Sequence, residues 1–565
     1  MDIDFNEKML KIIKNKNIFI IFEDFNIEFG GLTNTVFKRA NYLADNGYKI
    51  SLLNVDPMRN FEYIQEGFIK SNILSPNVKF INVYDYYSKK NTSSQNSKVS
   101  IKPNFNKDGN YSVNEIYNTD GSIQFNYFDS SNILIKSEVY IDDVLVFDEV
   151  YEPPHKRYFT KDGFKYLEMD ENYIFSLFDR NSDKTLKFNG INEFLYHFMD
   201  EMCEGIEDKP FLLCDSTSHY YNMNGVKSDV YKIGVMHGNP YVFDNESVDY
   251  ISPRINHLSH LDDLEAIVVL TNEVKEDLIN ELKKDKFAVI PNFISDEALE
   301  TELVPKEVNR IRIFSRISSE KQISDAIKAF KIVSDSKPDA VLEIFGRAIT
   351  NDERAELLKL ENLVNKLNLE DKILFKGFLS DVNIEMQKSL CTLIISKHEG
   401  LPLSLLESMA NATPVICYDF KYAPKDVITN GVDGIIVEKG NIELLAEKMI
   451  ELLDDPEFAI NLGINAREKI KNSFSTSSTA YKWEELFKSV FVDATLNDLD
   501  KKSNKIEKLN SKNDKLKSKN KKLKSKNKKL KSKNEKLKEM NNSIINSKSW
   551  KLTKPLRKLS NLSKK

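Results

Sequence analysis

Cys391-Thr-Leu-Ile-Ile395 runs shortly into Glu399-Gly-Leu-Pro-Leu-Ser-Leu-Leu-Glu407. An apolar run broken by Gly-Leu-Pro predicts a buried strand, a turn and a new helix, with Pro402 at the helix start and Glu407 inside it. In folds built from such units, ligands sit at the carboxyl ends of the strands, where N–H groups at the helix start favour anionic or oxygen-rich groups. Two carboxylates there can accept hydrogen bonds from sugar hydroxyls. On spacing alone, Glu407 fits a charged, solvated helix face equally well.

The same rhythm extends in both directions. Arg310-Ile-Arg-Ile-Phe314, Ala340-Val-Leu-Glu-Ile-Phe345, Lys372-Ile-Leu-Phe375, Pro414-Val-Ile-Cys417 and Gly434-Ile-Ile-Val437 read as further strands separated by helical patterns. Upstream, Phe211-Leu-Leu-Cys-Asp215, Tyr231-Lys-Ile-Gly-Val-Met236, Ala266-Ile-Val-Val-Leu-Thr271 and Ala288-Val-Ile-Pro-Asn292 repeat it. The chain opens on the strand 17–22, a polar loop ending in Gly30-Gly31, an amphipathic stretch from Thr33 to Asn46 and a second strand at 49–55. Together these predict an α/β chain of two Rossmann-like lobes joined near residue 300. Between about 100 and 180 the texture shifts to short alternating or aromatic runs with Asp120-Gly121, Asp142-Asp143 and Asp162-Gly163 between them, which predicts an antiparallel β-meander inserted into the first lobe.

After about residue 500 the composition collapses to Lys, Asn, Ser and Leu. Leu509, Leu516, Leu523, Leu530 and Leu537 recur every seven residues, continued by Ile544, and three positions before each stand Ile506, Asn513, Asn520, Asn527, Asn534 and Asn541. Leucine at d with asparagine at nearly every a favours a parallel two-stranded coiled coil at a cost in stability. A duplicated, solvated basic tail would show the same period. The expected division is therefore 1–98 and 206–300 for the first lobe, with 99–205 the inserted β-rich extension. The second lobe takes 301–475, followed by a helix crossing back over 476–498, a basic coiled coil over 499–548 and a basic amphipathic tail over 549–565.

A chain of 565 residues that is 41% hydrophobic exceeds one core and supports several. Its first residues lack the basic flank and apolar run of a signal peptide, and no stretch reaches the roughly 18 to 20 apolar residues that cross a bilayer, so a cytoplasmic location is expected. Cys203, Cys214, Cys391 and Cys417 have no short paired spacing and no neighbouring histidines, which points to buried free thiols. The net charge of −5 conceals a division: residues 501–565 hold 25 Lys/Arg against 4 Asp/Glu, or +21, leaving −26 for the body.

Arg316 and Lys321, just after the first strand of the second lobe, lie where two positioned cations could meet an anionic ligand at the strand ends, or are plain surface charges. Gly30-Gly31 lets backbone amides approach a phosphate or sugar, or forms a plain tight turn. His237 closes a strand at the expected cleft, where a histidine can be structural or can contact donor sugar or acceptor. Asp-x-Asp, the spacing that would hold a divalent metal against a diphosphate, occurs only at Asp2/Asp4 and Asp498/Asp500, at segment ends, so no metal and no other cofactor is expected.

Glu399 through Ala410, followed by Ala412-Thr-Pro-Val-Ile416 and Asn430-Gly-Val-Asp-Gly-Ile-Ile-Val437, resembles the signature of glycosyltransferase family 4, and the match continues in order and spacing over most of residues 15–490. That family is retaining, uses nucleotide-sugar donors and has the GT-B fold. By this resemblance Glu407 holds the donor ribose, Glu399 contacts the transferred sugar near its 3- and 4-hydroxyls, and Arg316 and Lys321 form the family's Arg-x4-Lys pair. His237 joins these as a catalytic candidate. Gly30, Gly31, Gly377, Gly400, Leu401, Pro402 and Leu403 complete the implied donor contacts.

The insert is similar in pattern to the extension of a family 4 subgroup that includes teichoic acid poly(glycerol/ribitol-phosphate) α-glycosyltransferases and the enzymes that start O-glycosylation of serine-rich adhesins. In relatives it contacts the acceptor or drives assembly. The resemblance implies retaining transfer of a hexose or N-acetylhexosamine from a UDP-sugar to a cell-surface polymer such as teichoic acid. The alternatives are an initiating O-glycosyltransferase for serine-rich surface proteins and a non-catalytic GT-B partner subunit. Expected partners are a polyanionic polymer or protein acceptor and a homo-oligomer formed through the coiled coil and β-insert. The tail's lysines, each worth about 1 kcal/mol near an anionic surface, also suit the inner face of a membrane. Trp550, Leu552, Leu556 and Leu559 among the terminal cations would suit an interfacial anchor. Nucleic acid is not expected, because stacking aromatics are almost absent there.

Overall fold

The structure, a computed structural model, describes residues 3–23, 31–57, 60–93, 112–118, 120–182, 184–215, 223–244, 247–251, 261–379 and 381–548. Met1–Phe491 form one unit and Val492–Lys565 a second.

The first unit contains two wholly parallel sheets. In the first lobe seven strands lie in the order Phe287–Val289, Ala266–Val269, Tyr231–Val235, Phe211–Cys214, Asn17–Phe22, Lys49–Asn54, Lys79–Asn82. In the second, six lie in the order Ile373–Gly377, Val341–Phe345, Glu307–Phe314, Ser389–Ile394, Val415–Tyr418, Ile435–Val437. In both lobes the chain starts mid-sheet, builds to one edge, then returns to build the other. A crevice therefore opens at the carboxyl ends of the first and fourth strands, the switch point where doubly wound folds bind ligands. The central strands are buried along nearly their whole length, as parallel strands covered on both faces must be: all six residues of Ser389–Ile394 and five of six in Asn17–Phe22.

The β-meander occupies the long crossover between the third and fourth strands of the first lobe. Eight antiparallel strands run from Ser112–Tyr117 to Thr185–Asn189, each paired with the next. Its later strands share a core with the lobe. Tyr158, Leu167, Phe175 and Leu177 join Phe194 and Phe198 of the helix Ile191–Cys203 and Phe19 and Leu53 of the parallel sheet. The far end keeps a separate small cluster of Phe125, Tyr127 and Tyr140. The two edge strands of this sheet escape a reading by pattern because their side chains are mostly exposed and so carry no apolar alternation. The helices Ile3–Asn15, Phe61–Lys70 and Val83–Asn91 are likewise found only in the structure.

Two segments cross between the lobes and pair with each other: Ile294 N–H donates to Phe474 O (2.8 Å) and Thr476 N–H to Ile294 O (2.9 Å). The helix Thr476–Asn546 starts there. Its first turns return to the first lobe, with the Phe487 ring 5.0 Å from Phe211 and the Arg39 guanidinium 4.5 Å over Trp483. The stretch expected as a crossing helix over 476–498 and a coiled coil over 499–548 is continuous as the helix Thr476–Asn546, since neither glycine nor proline interrupts it. In the second unit that helix continues with Leu509, Leu516, Leu523, Leu530 and Leu537 all exposed. The amphipathic tail 549–565 lies outside the described residues. Among the described residues no helix is long and apolar enough to cross a membrane.

Candidate active site

At the switch point of the second lobe, Lys321 ends a short 3-10 turn after the first strand, and Glu399 follows the fourth. The Lys321 ammonium pairs with Glu399 Oε1, which also accepts from Ser396 Oγ (2.7 Å). Lys397 N–H donates to Glu320 O (2.8 Å) and ties the two loops together. A cation and a carboxylate far apart in sequence are thus held side by side at the mouth of the crevice.

Arg316 is placed differently from its expected partner Lys321. It is largely exposed and donates to Glu353 Oε1 (3.1 Å). Glu353 closes a capping box at the start of the helix Asn351–Lys366, accepting from Ile349 N–H (2.8 Å) and Thr350 N–H (3.1 Å). Burial alone would raise its carboxyl, but these N–H groups and the Arg316 guanidinium hold it below the usual carboxylate range. In this structure, then, the two cations have different carboxylate partners, Glu353 for Arg316 and Glu399 for Lys321.

Glu407 lies within the helix Leu403–Ala410. Burial pushes its carboxyl above the ordinary range, opposed by Lys38 of the first-lobe helix Gly31–Asp45. Burial in turn lowers the Lys38 ammonium, with Glu407 and Glu297 opposing. This electrostatic pair spans the two lobes. Gly377 ends the third strand of the second sheet with φ +74°, a conformation that favours glycine. Pro402 is the N-cap of the helix Leu403–Ala410, whose first residue, Leu403, is half-buried. The Leu401 side chain packs into the second lobe's core, so only its backbone remains for a ligand.

On the first lobe, Asp215 follows the fourth strand and His237 the fifth. His237 Nε2 lies 2.7 Å from Asp215 Oδ1, while Arg39 pairs with the other carboxylate oxygen. Burial would raise the Asp215 carboxyl; Arg39 and His237 overcome that and hold it below its ordinary range. An ionised Asp215 can only accept, so Nε2 carries the proton and Nδ1 is left as the second ring nitrogen. Gly31 opens the helix Gly31–Asp45, and Gly30 lies outside the described residues. Lys38, Arg39, Asp215, Glu353 and Ser396 are site residues that motif reading passes over. Asp215 alone left a trace, as a charge closing the apolar run Phe211–Cys214.

The lobes touch at His237. A Cβ on Gly400 would lie 2.2 Å from the His237 carbonyl oxygen, so only glycine permits this approach. Nearby, Asn239 donates to Lys421 O (3.3 Å), Tyr422 Oη to Asp277 (2.8 Å) and Asn272 to Asp426 (3.1 Å). One wall of the crevice therefore carries Lys321, Glu399 and Glu407, and the other His237 and Lys38. Cations beside hydrogen-bond-accepting carboxylates suit a substrate that combines an anionic group with sugar hydroxyls. Among the described residues no cluster of three or more His, Cys, Asp or Glu could hold a metal ion.

Two doubly wound lobes facing each other across such a crevice make the GT-B fold. Residues 295–469 match the family described as "Glycosyl transferases group 1". Poly(ribitol-phosphate) alpha-N-acetylglucosaminyltransferase of Staphylococcus aureus (strain COL) is 22% identical over 513 residues, covering 84% of this chain and 100% of that protein. Poly(glycerol-phosphate) alpha-glucosyltransferase of Bacillus subtilis (strain 168) is 27% identical over 373 residues, covering 61% and 53%. The crystal structure of TarM superposes with a TM-score of 0.70 at 20% identity, covering 84% of this chain and 99% of that one.

Proposed function

We propose that the chain transfers a hexose or N-acetylhexosamine from a UDP-sugar to a polyol-phosphate polymer of the teichoic acid type, with retention at the anomeric carbon. The observation that carries this reading is the Lys321–Glu399 pair at the second-lobe switch point, facing His237 across the contact at Gly400. The S. aureus relative, whose full length this chain covers, acts by name on poly(ribitol-phosphate).

On donor binding Lys321 turns from Glu399 to the diphosphate, and Glu399 accepts from sugar hydroxyls. Arg316 adds charge to the leaving group, and Glu407 accepts from the ribose. An acceptor hydroxyl oxygen bonds to the anomeric carbon as the bond from that carbon to the phosphate oxygen breaks. The hydroxyl proton passes to the departing UDP, on the same face. Charge on UDP is larger in the transition state than in the bound donor, so fixed cations lower the barrier rather than merely tightening binding. Side-chain cations fill the place that a divalent metal takes in other transferases, and the reaction needs none. We place it at the cytoplasmic face of the membrane, where donor and growing polymer would meet.

The test incubates purified protein with UDP-glucose or UDP-N-acetylglucosamine and poly(ribitol phosphate), poly(glycerol phosphate) or a Ser/Thr-rich peptide. The expected result is an α-linked sugar on a polyol-phosphate polymer, unchanged by EDTA and lost in Glu399→Ala. Transfer to the peptide alone, no turnover of any donor, or full activity in Glu399→Ala refutes it.

A further inference from the structure

The helix beyond residue 500 carries two instructions that oppose each other. Its seam asks for a second helix: the leucines at d, each at least half exposed, have no cover in the single chain. The repeat Lys-Leu-Lys-Ser-Lys-Asn-Lys occupies 515–521 and again 522–528, so the seam is self-complementary. Asparagines at 513, 520, 527 and 534 meet one another only in a parallel, in-register pair; an antiparallel pair would set them against leucines. The seam therefore fits a second copy of this helix better than a chain of another sequence.

Its flanks forbid that pairing. In a parallel dimer the g positions Lys512, Lys519, Lys526 and Lys533 face the e positions Lys517, Lys524, Lys531 and Lys538 of the second copy, so every flanking contact is lysine against lysine. Residues 512–538 hold 14 lysines against Asp514 and Glu535 along about 40 Å of helix. Buried asparagines at nearly every a weaken the seam further, leaving little to offset the repulsion. A linear anion with regularly repeated phosphates is the chemistry that neutralises such rows, since one flexible chain can follow the groove between e and g lysines of both helices.

We propose that this helix is a polyanion-dependent pairing arm, two copies zipping in parallel along the leucine seam only when a linear polyphosphodiester lies on their lysine rows. The inference rests on the acceptor reading above only for the natural source of the polymer. Pairing is read without any transfer, so the two can fail separately.

The four native cysteines are buried, so a cysteine introduced into the full-length protein reports on the helix alone. Asn527→Cys places a thiol in the seam and Ser525→Cys places one on the outer face. At about 0.01 M ionic strength, where charges repel over about 30 Å, Asn527→Cys should oxidise to a disulfide-linked dimer only slightly. Poly(glycerol phosphate) or inorganic polyphosphate at the same ionic strength should raise the cross-linked fraction about 10-fold, with Ser525→Cys unchanged. Replacing Lys512, Lys519, Lys526 and Lys533 together by Glu turns each flanking contact into an opposite-charge pair, and Asn527→Cys should then cross-link without polymer. Full cross-linking of the lysine form at low salt without polymer overturns the proposal, as does no response to either polymer. Equal cross-linking at residues 525 and 527 means aggregation and also overturns it. A response to phosphatidylglycerol vesicles but not to soluble polymers replaces it with a membrane surface.

Discussion

Gly400→Ala tests whether the contact between the lobes is part of the chemistry. The added Cβ would sit 2.2 Å from the His237 carbonyl oxygen and 3.1 Å from its carbon, whereas ordinary contact begins at 3.4 Å. These two atoms, and the Gly238 carbonyl carbon at 3.3 Å, are backbone and cannot swing aside as a side-chain end could. The Gly400 backbone has an ordinary φ, so alanine strains nothing locally and the clash has to be relieved by parting the lobes by about 1 Å. A displacement of that size between catalytic groups typically costs about 10²-fold in rate, and that is the loss expected in kcat, with KM for the donor changed much less. Gly238→Ala is the matched control: it lies on the opposite side of the same contact, yet its Cβ would meet nothing within 4 Å. Steady-state kinetics on both variants, with thermal melts to confirm that each is folded, decides the matter. Wild-type kcat in Gly400→Ala, a loss confined to KM, or an equal loss in Gly238→Ala refutes the reasoning.

Three further outcomes follow from single groups. Lys321→Ala should lower kcat about 10²- to 10³-fold, the usual cost of one preorganised electrostatic contact, while its melting temperature stays near wild type because the pair with Glu399 is partly exposed; unaltered kcat excludes Lys321 from the reaction. Asp215→Asn removes the charge that neutralises buried Arg39 and should cost about 3 to 5 kcal/mol in urea unfolding; a loss below about 1 kcal/mol means Arg39 finds another partner. Lys306 donates to Gln387 O (2.9 Å) and Thr413 Oγ1 (2.7 Å), and burial of its ammonium lowers it to about 7. The unfolded chain keeps that proton to about 10.5, so it binds more protons than the folded chain between the two values, and stability rises with pH there. Wild type should therefore gain on Lys306→Met as pH goes from about 7 to about 9 in parallel melts, and a pH-independent difference rejects the assignment.

How far the sequence carries depends on what each residue touches. Strands of the two parallel sheets were legible because burial on both faces demands unbroken apolar runs, as in Ser389–Ile394 and Phe211–Cys214. Edge strands such as Thr185–Asn189 were not, since a strand with one side in water and no neighbour beyond it can carry almost any polar sequence. At the site, Lys321 and Glu399 could be expected together, as each follows a strand that flanks the switch point. The pairing of Arg316 with Glu353 could not, because Glu353 reads on its own as a helix-capping residue. Arg39 was hidden for a similar reason. It sits in a helix among polar residues, and only the folded chain shows it buried between Asp215 and Trp483.

Those hidden partners account for why the crevice can stay charged without a ligand. Lys321 is matched by Glu399, Arg316 by Glu353 and Asp215 by Arg39 and His237, while Lys38 opposes only part of the burial that raises the Glu407 carboxyl. Three of the proposed donor contacts, Lys321, Glu399 and Arg316, lie in such pairs. In the proposed reaction donor entry is then an exchange, in which a diphosphate replaces a carboxylate beside Lys321 and sugar hydroxyls replace the ammonium beside Glu399. An exchange keeps the number of satisfied charges constant and avoids the desolvation cost of building the site afresh. The Asp215 triad is different in kind. It has no ligand-facing charge to surrender, so it holds His237 in one orientation throughout.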